Sequence, residues 1–194
     1  VKNESAVLLA KLNMLGEDNY LSDFSRVNYF FKQFDEFLVS LLPNRPATLR
    51  PAHYARLLPK SAWPNYEKLF IKHGYSVSNR FPSTIVQAYF GKKYPRESIS
   101  IEIVKISGVD KQEIELLVVD SKLDREIVEQ ENLNLRHFAL TLEEKDFADF
   151  VNVLLQAGFK KVFSGNNQYE QSSTTYFQKN FDNNSLRLEI FKKV

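Results

Sequence analysis

The sequence predicts an α+β fold in which an N-terminal helical segment precedes two βαβββ modules, all within a single structural domain. Three observations carry this expectation. Apolar residues early in the chain recur at intervals of three and four, as on one face of a helix. A long stretch repeats at a fixed displacement of 84 residues. Two octets, Ser98–Lys105 and Ser185–Lys192, alternate between polar and apolar residues over their first six positions, the pattern of a half-buried strand.

Composition bounds the function before any motif is considered. The 194 residues are 43% hydrophobic and 26% charged, with sixteen Phe and nine Tyr, so the chain has the apolar area for a packed core and is not intrinsically disordered. The net charge is +2, and no run of basic residues exceeds a Lys pair. Phosphate neutralisation dominates nucleic-acid affinity, so a basic stripe is the footprint expected of such a binder; its lack argues against nucleic acid and acidic membranes as partners. The apolar run Ala6–Ala10 is far shorter than the ~20 residues of a membrane span. With no secretory pattern and no Cys, the expected location is the cytoplasm.

The helical segment is assigned to residues 1–46 as a helical pair. Phe30, Phe31, Phe34, Phe37, Leu38, Leu41 and Leu42 form its apolar stripe, Ser22 is the candidate N-cap, and Pro43 and Pro46 end it. The repeat begins beyond Pro51. Displaced by 84, His53-Tyr54-Ala55-Arg56-Leu57-Leu58 falls on His137-Phe138-Ala139-Leu140-Thr141-Leu142. Trp63 then falls on Phe147, Phe70 on Leu154, and Gly74-Tyr75 on Gly158-Phe159. Each copy is expected to be a strand, an amphipathic helix ending at Gly, and a second strand. A displacement of 87 continues the match, with Tyr89-Phe90 on Tyr176-Phe177 and octet upon octet. The modules are therefore set at 51–106 and 135–194. The segment 107–134 lies between them, with a strand candidate at Glu113–Val119 and a charged, helical stretch.

Two of the three His residues, His53 and His137, stand at matching positions at the head of each module, and Glu102 and Glu189 match in the last strands. Alternation along a strand puts His53 and Ala55, and His137 and Ala139, on one face, with Glu102 and Glu189 on the less apolar face of their own strands. Together they would line the concave side of a curved sheet. Two imidazoles and two carboxylates suit a divalent cation such as Zn²⁺, Fe²⁺, Mn²⁺ or Ni²⁺. Glu102 and Glu189 are the candidate catalytic carboxylates. Arg187 and Ser100, two positions away, are candidate substrate-binding residues. Glu115 rivals Glu102, but the octet around Glu102 matches the second module, and the His-to-Glu separations then agree at 49 and 52 residues. Tyr89 and Tyr176 are candidates for the pocket wall, and His73, beside Gly74 at a helix end, is assigned a structural role.

His at the head of the first strand, a helix ending in Gly-aromatic, and the strings Ile101-Glu102-Ile103 and Leu188-Glu189-Ile190 resemble the vicinal oxygen chelate superfamily. That superfamily includes glyoxalase I, extradiol dioxygenases, methylmalonyl-CoA epimerase and fosfomycin-resistance enzymes. The leading helical segment is also similar to that of small bacterial members of the YecM type. The resemblance implies a cup-shaped mixed sheet around a metal, with ligands carried over to His53, Glu102, His137 and Glu189. It further implies a metal-dependent enzyme acting on a small oxygenated organic acid or carbonyl compound, with isomerase or lyase chemistry favoured over dioxygenase, in a monomer or homodimer. The alternative is a metal-free protein that binds or sequesters a small molecule on the same fold.

Overall fold

The computed structural model describes residues 24–108, 113–167, 169, 172–181 and 184–193. The first part of the expected helical pair, with its Ser22 cap, lies outside them. Helix α1 spans Phe24–Leu41. The first module follows as β1 (Arg50–Pro59), a 3₁₀ turn, α2 (Trp63–Lys72), β2 (Ser76–Pro82), α3 (Thr84–Lys93), β3 (Ser100–Ser107) and β4 (Glu113–Asp120). Helix α4 (Asp124–Leu135) leads to the second module: β5 (His137–Thr141), a 3₁₀ turn, α5 (Phe147–Gln156), β6 (Lys160–Asn167), β7 (Ser172–Phe181) and β8 (Asn184–Lys193). Among the described residues no helix is long and apolar enough to cross a membrane.

Its packing divides the chain into two compact units. One is built on Ala52–His137, the other on Phe138–Ser164 and Thr174–Lys192 together with α1.

The first half of the repeat holds residue for residue. Displaced by 84, the 3₁₀ turn, α2 and the start of β2 fall on the second 3₁₀ turn, α5 and the start of β6. Both helices end alike. Gly74 and Gly158 have φ of 79° and 86°, left-handed values that a Cβ disfavours. Beyond each Gly, the N–H of Tyr75 or Phe159 donates to the carbonyl of Phe70 or Leu154 at 3.0 Å, closing the last turn.

The second half does not hold. Tyr89 and Phe90 lie on α3, whereas Tyr176 and Phe177 lie on β7. Helix α3 is ten residues inserted between β2 and β3, with Ser83 as its N-cap accepting from the Val86 N–H at 3.2 Å. The insertion makes β4 the terminal strand of the first module. β4 pairs parallel with β1, as β8 pairs parallel with β5. The strand orders match accordingly, β2-β3-β4-β1 in one module and β5-β8-β7-β6 in the other. The first module therefore extends past residue 106, and the strand expected between the modules belongs to it.

Parallel pairing explains the burial of β1 and β4, covered on both faces over most of their length. On the face carrying Leu57, Leu117 and Val119, a continuous core adds Ile99, Ile101 and Ile103 of β3, Val86 and Phe90 of α3, and Ile127 and Val128 of α4. Ile99, Ile101 and Ile103 thus pack on helices as expected. They share a face with Leu57 and Leu117, and so with His53, whose face was expected to line an open concave side. Helix α4 is also fastened to β1 and the turn after it, because Asn132 Oδ1 accepts from the Leu57 N–H and Asp124 Oδ2 from the Ser61 N–H, both at 3.0 Å. In the other unit, Phe34, Phe37, Leu38 and Leu42 of the helical stripe are buried, and Phe34 stacks on Phe138 with centroids 3.9 Å apart.

Candidate metal centre

His53 lies early in β1, and regular parallel register sets Ala55, two residues on, opposite Glu115 of β4. Their side chains share one face, and His53 Nε2 stands 3.6 Å from Glu115 Oε2. His137, first residue of β5, brings a second imidazole, its ring centroid 5.8 Å from that of His53 and inclined by 67°. One ligand atom from each of His53, Glu115 and His137 lies within 4.8 Å of the others, and all three residues are buried.

The surroundings orient the group. The Nδ1–H of His137 donates to the Leu135 carbonyl at 2.8 Å. A carbonyl can only accept, so this bond fixes a proton on Nδ1 and makes Nε2 the ring atom that could ligate. Glu113, two residues before Glu115 on the same face, approaches His53 Nδ1 at 3.8 Å. Lys105, paired across the sheet with Glu115, sets its Nζ 3.4 Å from Glu113 Oε1 and 3.8 Å from Glu115 Oε2. Two imidazoles and one carboxylate, all buried, form a donor set that could hold a divalent cation.

The structure brings His53 and His137 together and sets Glu115, not Glu102, beside them. Glu102 pairs with Val118, on the sheet face opposite to that of Glu115. There it is half exposed and held by Arg80, whose Nη2 is 2.6 Å from Glu102 Oε2. Ser100 is exposed on the same wrong face as Glu102 and does not reach the histidines.

Glu189 sits in the other unit, opposite Ala139, where it repeats the register of Glu115 opposite Ala55. It is buried and accepts from the hydroxyls of Thr174 and, at 3.1 Å, Tyr176. Arg187 spends two donors, Nε at 3.2 Å and Nη2 at 2.7 Å, on Gln178 Oε1. Of the two tyrosines expected at a pocket wall, Tyr176 serves Glu189 and Tyr89 donates to Glu131 of α4 at 2.9 Å. His73 is the C-cap residue of α2, where its backbone N–H bonds the last carbonyls of the helix.

Glu113 and Lys105, which border the cluster, were not singled out in the sequence. The alternation Glu113-Ile114-Glu115 was the available signal, since it puts both carboxylates on one strand face.

No family model matches the chain, and no curated protein matches it in sequence. Solved structures do match. A hypothetical protein from Bacillus halodurans C-125 superposes with a TM-score of 0.50 at 11% identity, over 76% of this chain and 96% of that one. Methylmalonyl-CoA epimerase from Mycobacterium tuberculosis gives 0.50 at 10% identity, over 74% and 87%. Glyoxalase I from Zea mays gives 0.43 at 13% identity, over 74% and 42%. The first two likenesses establish the fold alone, the paired βαβββ arrangement of the glyoxalase type.

Proposed function

We propose that the unit built on Ala52–His137 carries the metal centre of an enzyme acting on a small oxygenated organic acid or carbonyl compound, with isomerase or lyase chemistry. The observation that supports this is the convergence of one ligand atom each from His53, Glu115 and His137 within 4.8 Å in a buried setting. A divalent cation held there would supply Lewis-acid stabilisation of negative charge developing on a substrate oxygen.

The chain's own residues set the conditions for that chemistry. The Leu135 carbonyl keeps His137 in the ligating tautomer. Glu115 contributes the single charged ligand. Burial excludes bulk water and strengthens every charge interaction in the site. Isomerisation and elimination both move a proton, and Glu113 and Lys105 are proton-handling groups beside the ligands. One feature favours a second reading: two histidines with one carboxylate leave coordination positions open, the arrangement that suits Fe²⁺ and dioxygen. Metal-dependent uptake of O₂ would point to that reading, and exchange of substrate hydrogen with solvent deuterium to the first.

The test begins with protein purified without chelators, followed by elemental analysis and calorimetric titration with Zn²⁺, Mn²⁺, Fe²⁺ and Ni²⁺. One ion per chain is expected, with binding lost in His137→Ala and Glu115→Gln and retained in Glu102→Gln. Lack of binding, or binding that His137→Ala leaves intact, would overturn the metal centre and favour the metal-free binding protein.

A further inference from the structure

We infer that Lys105 is a specificity-determining residue that makes the loaded centre a receptor for a monoanionic oxygen ligand, a carboxylate above all. This rests on the metal-centre reading and adds to it the charge of the substrate. Lys105 Nζ lies 3.8 Å from Glu115 Oε2, a ligand atom of the centre, and 3.4 Å from Glu113 Oε1. Its side chain is only 14% exposed, and the ammonium stands 5.6 Å from the centroid of the Phe81 ring. Both contacts hold the cation beside the ligand set rather than in solvent.

The formal charges of Glu113, Glu115 and Lys105 sum to a single negative charge. With neutral imidazoles, a divalent cation turns this into a single positive charge, beside ligands that are themselves buried and so screened less than a surface charge would be. When a cation engages Glu115, the ammonium of Lys105, held by Glu113 at 3.4 Å, stands beside the same carboxylate. An anionic oxygen ligand then meets a Lewis acid and an ammonium together, and a charge-assisted hydrogen bond of this kind is about twice as strong as a neutral one. If Lys105 were apolar, the same group would be neutral with the cation bound, and an incoming anion would gain no net attraction.

The probe is glycolate, a monoanion with two neighbouring oxygens, titrated calorimetrically into wild-type, Lys105→Met and Lys105→Arg proteins, each first shown to take up one Zn²⁺ per chain. Saturable binding to the zinc-loaded wild type is expected, weakened roughly tenfold or more in Lys105→Met and within about threefold of wild type in Lys105→Arg. Zinc uptake by each variant serves as the control that the centre is folded. Equal glycolate affinity in wild type and Lys105→Met, or no glycolate binding to zinc-loaded wild type, would overturn the role of Lys105 while leaving the metal centre standing. Failure of the wild type to bind zinc would overturn the metal centre itself.

Discussion

Ala55 and Ala139 each face a buried glutamate across a parallel strand pair, Glu115 in one case and Glu189 in the other. A methyl group leaves room beside the carboxylate that a larger side chain would fill. Ala55→Leu is therefore expected to abolish calorimetric zinc binding while costing about 1–3 kcal/mol of stability from overpacking. Another buried carboxylate, Glu131, acts as a fastener between α3 and α4. Burial pushes its carboxyl pKa up, but hydrogen bonds from Lys93, Tyr94 and Tyr89 outweigh that and hold it below the usual carboxylate range. A carboxyl depressed in the folded state adds stability above its unfolded pKa and loses it as pH falls through the folded one. Glu131→Gln should cost about 1–3 kcal/mol at neutral pH in urea unfolding, with the gap to wild type closing in acid. At this scale His53 and His137 were legible, because their displacement equals that of everything around them. The choice between Glu102 and Glu115 was not. The octets on β3 and β8 are both half-buried and alternate alike, whereas the parallel partner of β1 is set by pairing that no local pattern displays.

Helix caps and the inserted α3 govern the element scale. Ser83 satisfies the Val86 N–H inside a buried setting, so Ser83→Ala should lower stability by about 1 kcal/mol, measured by denaturant unfolding. Gly158→Ala should cost about 1–2 kcal/mol. The cause is its φ of 86° and not crowding, since an added Cβ would meet only Lys179, at 3.6 Å. The strand, helix, glycine and second strand of each module were legible because amphipathic period and C-terminal Gly are local signals. Helix α3 was hidden. Its apolar residues do not gather on one face of the sequence pattern, and Tyr89-Phe90 matched a strand pair of the other module by coincidence of aromatic spacing. Its ten residues account for the slip, since the true His-to-Glu separation in the first module, 53 to 115, exceeds that in the second, 137 to 189, by the length of α3.

At the scale of the whole molecule, helix α1 belongs to the core of its unit. Phe34 stacks on Phe138, and Phe37, Leu38 and Leu42 are buried with it. Deleting residues 1–45 should uncover this apolar surface and yield aggregates in size-exclusion chromatography with light scattering; a monodisperse folded product would show that the segment is dispensable. The duplicated architecture was legible from the 84-residue displacement, but its division into two compact units was not, because that depends on which buried surfaces meet. The most direct test of the central claim is a crystal structure of Zn²⁺-soaked protein with anomalous scattering recorded at the zinc edge. The account predicts one peak about 2.0–2.2 Å from a nitrogen of His53, a nitrogen of His137 and an oxygen of Glu115. A peak at Glu102, or no peak at the two histidines, would contradict it.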